Sequence, residues 1–249
     1  MLYICIPAYN EAPTVGVLLW RIRKMFEEYV REYEVIVLDD GSTDGTAATL
    51  APYVEVMPVT VVRNEKRKGY GAAIDTLARL ASKRTRYPRR DAMLVMQGDF
   101  TDRPEHVPEL VKRFEGGADI VVAEQERATA GAPSAVRRLR AVAPWVTRMF
   151  VRVPGVRDPF GSFRLYRIVT VRELLKEVGD SPIVAADGWA ANVELLAKLA
   201  RHARRIETVH LEARYDLRPR ESRVRPLAGA WDLFKFGRAS RGRLTPSAS

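Results

Sequence analysis

Three carboxylate-bearing stretches carry the residue types most suited to chemistry in this 249-residue chain. Asn10-Glu11 follows the apolar run Leu2-Tyr3-Ile4-Cys5-Ile6 and Pro7. Asp39-Asp40 closes Glu34-Val35-Ile36-Val37-Leu38, and Gln97-Gly98-Asp99 closes Ala92-Met93-Leu94-Val95-Met96. Adjacent aspartates with little around them to neutralise their charge can accept hydrogen bonds from ribose hydroxyls or base N–H groups. They can equally cap the following helix, a task open to Asp44 as well. Asp99 could hold a hard divalent cation, Mg²⁺ or Mn²⁺, which takes few protein carboxylates and keeps several waters.

The elements that position these groups alternate. Strand patterns over 2–6, 34–38, 59–63, 92–96 and 120–123 are separated by helical spacings over 14–30, 43–51, 72–83 and 104–114. Thr43 or Asp44 is the expected cap of the second helix. Such alternation predicts an α/β fold, a mostly parallel sheet flanked by helices. Ligands of these sheets lie beyond the carboxyl ends of the strands, near the point where strand order reverses, and the three carboxylate stretches sit at such ends. The second half is less regular. It holds a basic helical stretch over 135–151, a loop at 158–162 entering a strand at 163–166, a helix over 192–202 and a strand over 205–211. The amphipathic segment 226–238 reads as an interfacial helix or a packing surface, and the tail after it as disordered.

Several function classes are disfavoured. The loop Pro7-Ala8-Tyr9-Asn10-Glu11 lacks the glycine turn of a dinucleotide site, and Gly69 and Gly71 alone are weak support for one. Cys5 is a lone, core-like thiol. His106, His202 and His210 fit no metal spacing. The net charge is +10, and residues 201–249 hold twelve Arg or Lys against five acids, which on charge alone reads as a solvated basic face, with diphosphates, an anionic membrane surface or nucleic acid as candidate partners. No recognisable nucleic-acid module accompanies this charge, and no nucleic-acid partner is expected. No apolar run is long enough to span a membrane, and the chain opens without a signal segment, so a cytoplasmic protein, peripheral on the membrane face, is expected.

Ile6-Pro7-Ala8-Tyr9-Asn10-Glu11, Val37-Leu38-Asp39-Asp40-Gly41-Ser42-Thr43-Asp44-Gly45 and Lys68-Gly69-Tyr70-Gly71-Ala72-Ala73, in this order and spacing, resemble family 2 glycosyltransferases. Residues 153–167 and Arg218-Pro219-Arg220-Glu221-Ser222-Arg223 resemble the polyprenyl-phosphate (dolichyl-phosphate) mannose synthases among them. The resemblance covers about residues 2–225. It implies a GT-A (nucleotide-diphospho-sugar transferase, Rossmann-like) domain over 1–225, with 226–249 a basic amphipathic appendage and tail. It further implies inverting transfer of one sugar, mannose from GDP-mannose, to a lipid phosphate. Pro7, Tyr9, Glu11, Leu38 and Asp40 would surround the nucleoside. Gln97, Gly98 and Asp99 would stand at the metal and diphosphate, and Gln125 where the family carries an arginine. Arg218 and Arg223 would clamp phosphates, and Arg164 with Ser162 would receive the acceptor phosphate. A hydroxyl acceptor would instead need a base, for which Asp187 and Glu194 are candidates, each more readily read as structural. A UDP-sugar donor, a glycan or soluble acceptor, and a binding homologue impaired by Gln97 and Gln125 stay open.

Overall fold

The computed structural model describes residues 1–125 and 153–211. Seven strands form one sheet: β1 (Leu2–Ala8), β2 (Tyr33–Asp39), β3 (Val59–Arg63), β4 (Ala92–Val95), β5 (Ile120–Gln125), β6 (Arg164–Arg167) and β7 (Ile206–Leu211). Their spatial order is β3-β2-β1-β4-β6-β5-β7. Every pairing is parallel except those of β6, which runs antiparallel to both β4 and β5. The expected mostly parallel α/β sheet is therefore present, with one reversed strand inserted in it.

Strands buried on both faces need near-continuous apolar sequence, and side-chain alternation divides that sequence between two cores. Leu2, Ile4, Ile6, Val35, Val37, Leu94 and Met96 point to one core. There they meet Val15, Leu18, Leu19 and Ile22 of α1 (Ala12–Glu28) and Leu110, Val111 and Phe114 of α5 (Val107–Glu115). Tyr3, Cys5, Ile36, Leu38, Met93 and Val95 point to the other. That face is covered by α4 (Tyr70–Arg84), α6 (Ile168–Val178) and α7 (Gly188–Ala200). Two short helices, α2 (Thr46–Leu50) and α3 (Tyr53–Val56), connect β2 to β3.

The expected cap of α2 differs in detail. Gly45 is the N-cap residue and makes no side-chain cap, while Asp44 Oδ1 still accepts the Thr46 N–H at 2.9 Å. Helix α6 was not anticipated from sequence. Among the described residues no helix is long and apolar enough to cross a membrane. The 135–151 stretch and the 226–249 appendage lie outside the described residues.

Candidate functional site

β1 leads outward to β2 and β3 on one side, and β4 lies on its other side. The strand order thus reverses between β1 and β4, and the crevice at their carboxyl ends is where an open α/β sheet binds ligands. The loops after β1 and β4 meet there. A Cβ on Gly98 would meet Pro7 O and Glu11 Cγ at 3.4 Å, ordinary contact distance, so the two loops lie directly against each other. Thr14 Oγ1 joins the two loops, 3.0 Å from Glu11 Oε2 and 2.9 Å from the Gly98 carbonyl. Its single proton serves one of them at a time.

The loops after β1 and β2 are also zipped together. Asn10 takes a left-handed backbone (φ 53), tolerated by asparagine, and its N–H donates to Ser42 Oγ at 2.8 Å. The Thr43 N–H donates to Asn10 Oδ1 at 2.8 Å and the Glu11 N–H to Thr46 Oγ1 at 2.8 Å. Asp39, wholly buried, accepts the Ser42 N–H at 2.9 Å. Asp40, 4% exposed, accepts three bonds from the loop before α4. Asn64 Nδ2 (2.8 Å) and the Lys68 N–H (2.9 Å) reach its Oδ1, and the Gly69 N–H (2.8 Å) reaches Oδ2. A carboxylate offers about four lone-pair positions, so one remains. The same loop lays the Arg67 guanidinium over the Tyr9 ring, 4.4 Å from its centroid.

At the end of β4, the half-buried Asp99 accepts from the N–H of Thr101 at 3.0 Å and from its hydroxyl. Phe100 follows with φ 66, a conformation bulky residues rarely adopt and one that marks a sharp departure from the strand. Asp102, buried, accepts the Gln97 N–H at 2.9 Å and the Ser162 hydroxyl at 3.2 Å, tying the end of β4 to the entrance of β6. Among the described residues no group of three or more His, Cys, Asp or Glu could hold a metal. A Mg²⁺ or Mn²⁺ here would rest on Asp99 with the Gln97 amide beside it. That donor set suits a hard cation only if a diphosphate and water supply its other ligands.

Beyond β6 the site changes character. Arg164 has no exposed surface. Its Nη1 donates to Asn192 O at 2.7 Å, while Nε and Nη2 have no hydrogen-bond partner among the described residues. The Asn192 amide accepts the Tyr70 hydroxyl at 2.7 Å and donates to Phe160 O at 3.1 Å. Burial pushes the Tyr70 phenol far above its ordinary pKa, and the negative charge of Asp102 adds to the rise, so Tyr70 remains a donor. Asp187 Oδ1 accepts the Gly71 N–H at 3.0 Å at the start of α4. A Cβ on Gly71 would lie 2.2 Å from Ala186 O, so only glycine fits. Glu194, 2% exposed, accepts the N–H groups of Ala185 and Ala186, both at 2.9 Å, and pairs with Lys198 at 2.7 Å.

The structure thus brings Pro7, Tyr9, Glu11, Asp40, Gln97, Gly98 and Asp99 to one crevice. Leu38 corrects the expectation of a nucleoside contact through its side chain, which is wholly buried in the core under α4. Arg164 corrects the expectation of an open anion receptor, since its guanidinium lies beneath Asn192. Glu194 holds the backbone of 185–186, the structural role expected of it. Gln125 ends β5, paired with Leu211. Arg218 and Arg223 lie outside the described residues. Sequence reasoning missed Asp102 and Glu124, the latter accepting the N–H groups of Arg157 and Asp158. Neither stands in a motif, and apart from the Gln97 N–H their partners named here are 60 and 33–34 residues away.

The profile of Glycosyl transferase family 2 matches residues 3–175. The chain belongs to that family. It is 27% identical over 179 residues to the dodecaprenyl-phosphate galacturonate synthase of Rhizobium johnstonii, covering 70% of this chain and 49% of that protein. It is 26% identical over 170 residues to the bactoprenol glucosyl transferase of Shigella phage SfV, covering 65% and 50%. The chain spans about half the length of these curated relatives. Among solved structures, glucosyl-3-phosphoglycerate synthase from Mycobacterium tuberculosis superposes with a TM-score of 0.65 at 22% identity, covering 99% of this chain and 81% of that one. Staphylococcus aureus TarS gives 0.63 at 16% identity, covering 100% and 40%. These likenesses establish the GT-A fold.

Proposed function

We propose that this protein transfers one sugar from a nucleoside diphosphate sugar to the phosphate of a polyprenyl phosphate. The observation that carries the reading is the convergence at the β1/β4 switch point of Pro7–Glu11, Asp40 and Gln97–Asp99, a carboxylate-lined crevice without a glycine-rich phosphate turn. Two relatives at 26–27% identity are named for polyprenyl acceptors, which supports the acceptor class.

The state of Asp40 bears on the donor. With three bonds already accepted, it has room for one more. Uracil presents a single ring N–H, whereas the paired N–H groups of guanine would ask for both oxygens. A UDP-sugar therefore suits the site better than the GDP-mannose implied by the resemblance. The M. tuberculosis synthase has been solved with Mn²⁺ and UDP.

In the proposed reaction an oxygen of the acceptor phosphate attacks the anomeric carbon from the face opposite the nucleotide. The bond from that carbon to the β-phosphate oxygen breaks, and its electron pair leaves on the nucleoside diphosphate. A phosphate monoester is already ionised near neutral pH and needs no base. A cation at Asp99, when bound, offsets charge on the departing diphosphate, and Arg218 and Arg223 are the side chains proposed to add to this. Ser162 is the group proposed to answer the acceptor phosphate, and Nε and Nη2 of Arg164, sealed beneath Asn192, would join it only where that cover shifts. The basic excess of residues 201–249 suits an anionic membrane surface, at about 1 kcal/mol per cation near the headgroups.

A second reading rests on Asp187, an exposed carboxylate beside Gly69 and Gly71, which could serve as base for a hydroxyl acceptor. Incubation with labelled UDP-hexoses, UDP-hexuronates and GDP-mannose, with Mn²⁺ and undecaprenyl phosphate in detergent, tests both. Label extracted with the lipid from a UDP-sugar is the expected result. Label found only on a water-soluble hydroxyl acceptor, abolished by Asp187→Asn, would replace it with the second reading.

A further inference from the structure

We infer that Phe160 and Trp189 form the seat for the first isoprene unit of the acceptor, an inference that rests on the polyprenyl-phosphate reading above. The two rings lie 5.3 Å apart and are inclined at 60°, forming an open wedge rather than one flat face. Both are half-buried against the core beneath α4, α6 and α7. Apolar rings left partly open at the mouth of a polar site are a natural contact for hydrocarbon.

The wedge is held in place before any ligand arrives. Trp189 and Asn192 stand three residues apart on α7, hence on one helical face. The Asn192 amide donates to Phe160 O at 3.1 Å, fixing one ring relative to the other. Asp158 Oδ1 accepts the Phe160 N–H at 3.0 Å, and Glu124 pins the backbone of Arg157 and Asp158.

Two observations favour hydrocarbon over a sugar ring. Asn192, 4% exposed, turns its amide to Tyr70 and Phe160 O and so offers little to a hydroxyl in the wedge. Ser162 and Arg164, proposed to answer the acceptor phosphate, follow Phe160 by two and four residues. In a polyprenyl phosphate the apolar chain begins at the phosphate itself, so its seat must adjoin the anion site.

The test measures steady-state transfer to undecaprenyl phosphate for the wild type, Phe160→Ala, Trp189→Ala and Trp189→Phe, with UDP affinity and melting temperature recorded for each. The two alanine variants are expected to raise KM for the lipid roughly tenfold. UDP affinity should hold, and Trp189→Phe should restore most of the loss. Unchanged KM in variants of an enzyme that does use the lipid would overturn this inference alone. Equal losses in kcat, KM and UDP affinity would mark the rings as scaffold and overturn it too. A wild type that uses only a sugar hydroxyl would refute the acceptor reading, and the seat with it.

Discussion

The half of the sheet that ends in Glu11, Asp40 and Asp99 and the half that begins at β6 treat their charges in opposite ways. In the first, the buried Asp39 and Asp40 accept backbone N–H bonds from adjacent loops. Such bonds satisfy the buried carboxylate oxygens and rigidify the loops around them. In the second, Arg164 is sealed from water, its Nη1 bonded to Asn192 O and its Nε and Nη2 unpaired among the described residues. A buried cation without a counter-ion costs several kcal/mol. Under the proposed function the first half would be the donor side, its carboxylates largely hydrogen-bonded apart from Asp39 Oδ2, and the second an acceptor side that an anion would complete.

Predictions follow from breaking each side in turn. Asp99→Ala should lower transfer about 10³-fold, the scale of losing a key electrostatic group at the reacting centre. UDP affinity should then lose its Mn²⁺ dependence in calorimetry, with the melting temperature little changed. Arg164→Met should lower transfer about 100-fold through the acceptor KM. Its melting temperature should hold or rise, because an apolar side chain of similar length removes an uncompensated charge. A large drop in melting temperature would show that Arg164 is structural and erase the contrast. Asp40→Asn should behave in the opposite sense. Its amide nitrogen cannot accept, so at least one of the Asn64, Lys68 and Gly69 bonds is lost, and urea unfolding should report about 1–3 kcal/mol of destabilisation.

The smallest effect is alkaline. Burial raises the pKa of Tyr3, Tyr33, Tyr70 and Tyr166 in the folded chain. A raised folded pKa gives stability that is full below the unfolded value, about 10, and lost as pH climbs above it. Urea midpoints should therefore fall between pH 9.5 and about 11, less steeply in Tyr70→Phe.

The same contrast governs what could be read from the chain. The donor half was legible because its strands are apolar runs closed by carboxylates, and because motif, strand end and site coincide at Asp40 and Asp99. The acceptor half was less so. Ile168-Val169-Thr170-Val171 follows β6 directly and is β-branched, a strand-like composition. It is helical because Ile168, Val171 and Leu174 fall on one face and bury against the core that α4 also covers. Asp102 and Glu124 act through Ser162, Arg157 and Asp158, contacts that exist only once β6 has inserted between β4 and β5. Local spacing carries no trace of them. The burial of Arg164 was hidden for the same reason, since motif position says nothing of which way a side chain faces.

The β1/β4 switch point is proposed as a nucleotide crevice, read by an Asp40 with one acceptor position to spare. Its most direct test is calorimetric titration of the wild type and Asp40→Asn with UDP and with GDP, both in Mn²⁺. The account predicts that the wild type binds UDP at least about tenfold more tightly than GDP, roughly 1.4 kcal/mol, and that Asp40→Asn removes the preference. Tighter binding of GDP, or a preference that survives the substitution, would contradict it.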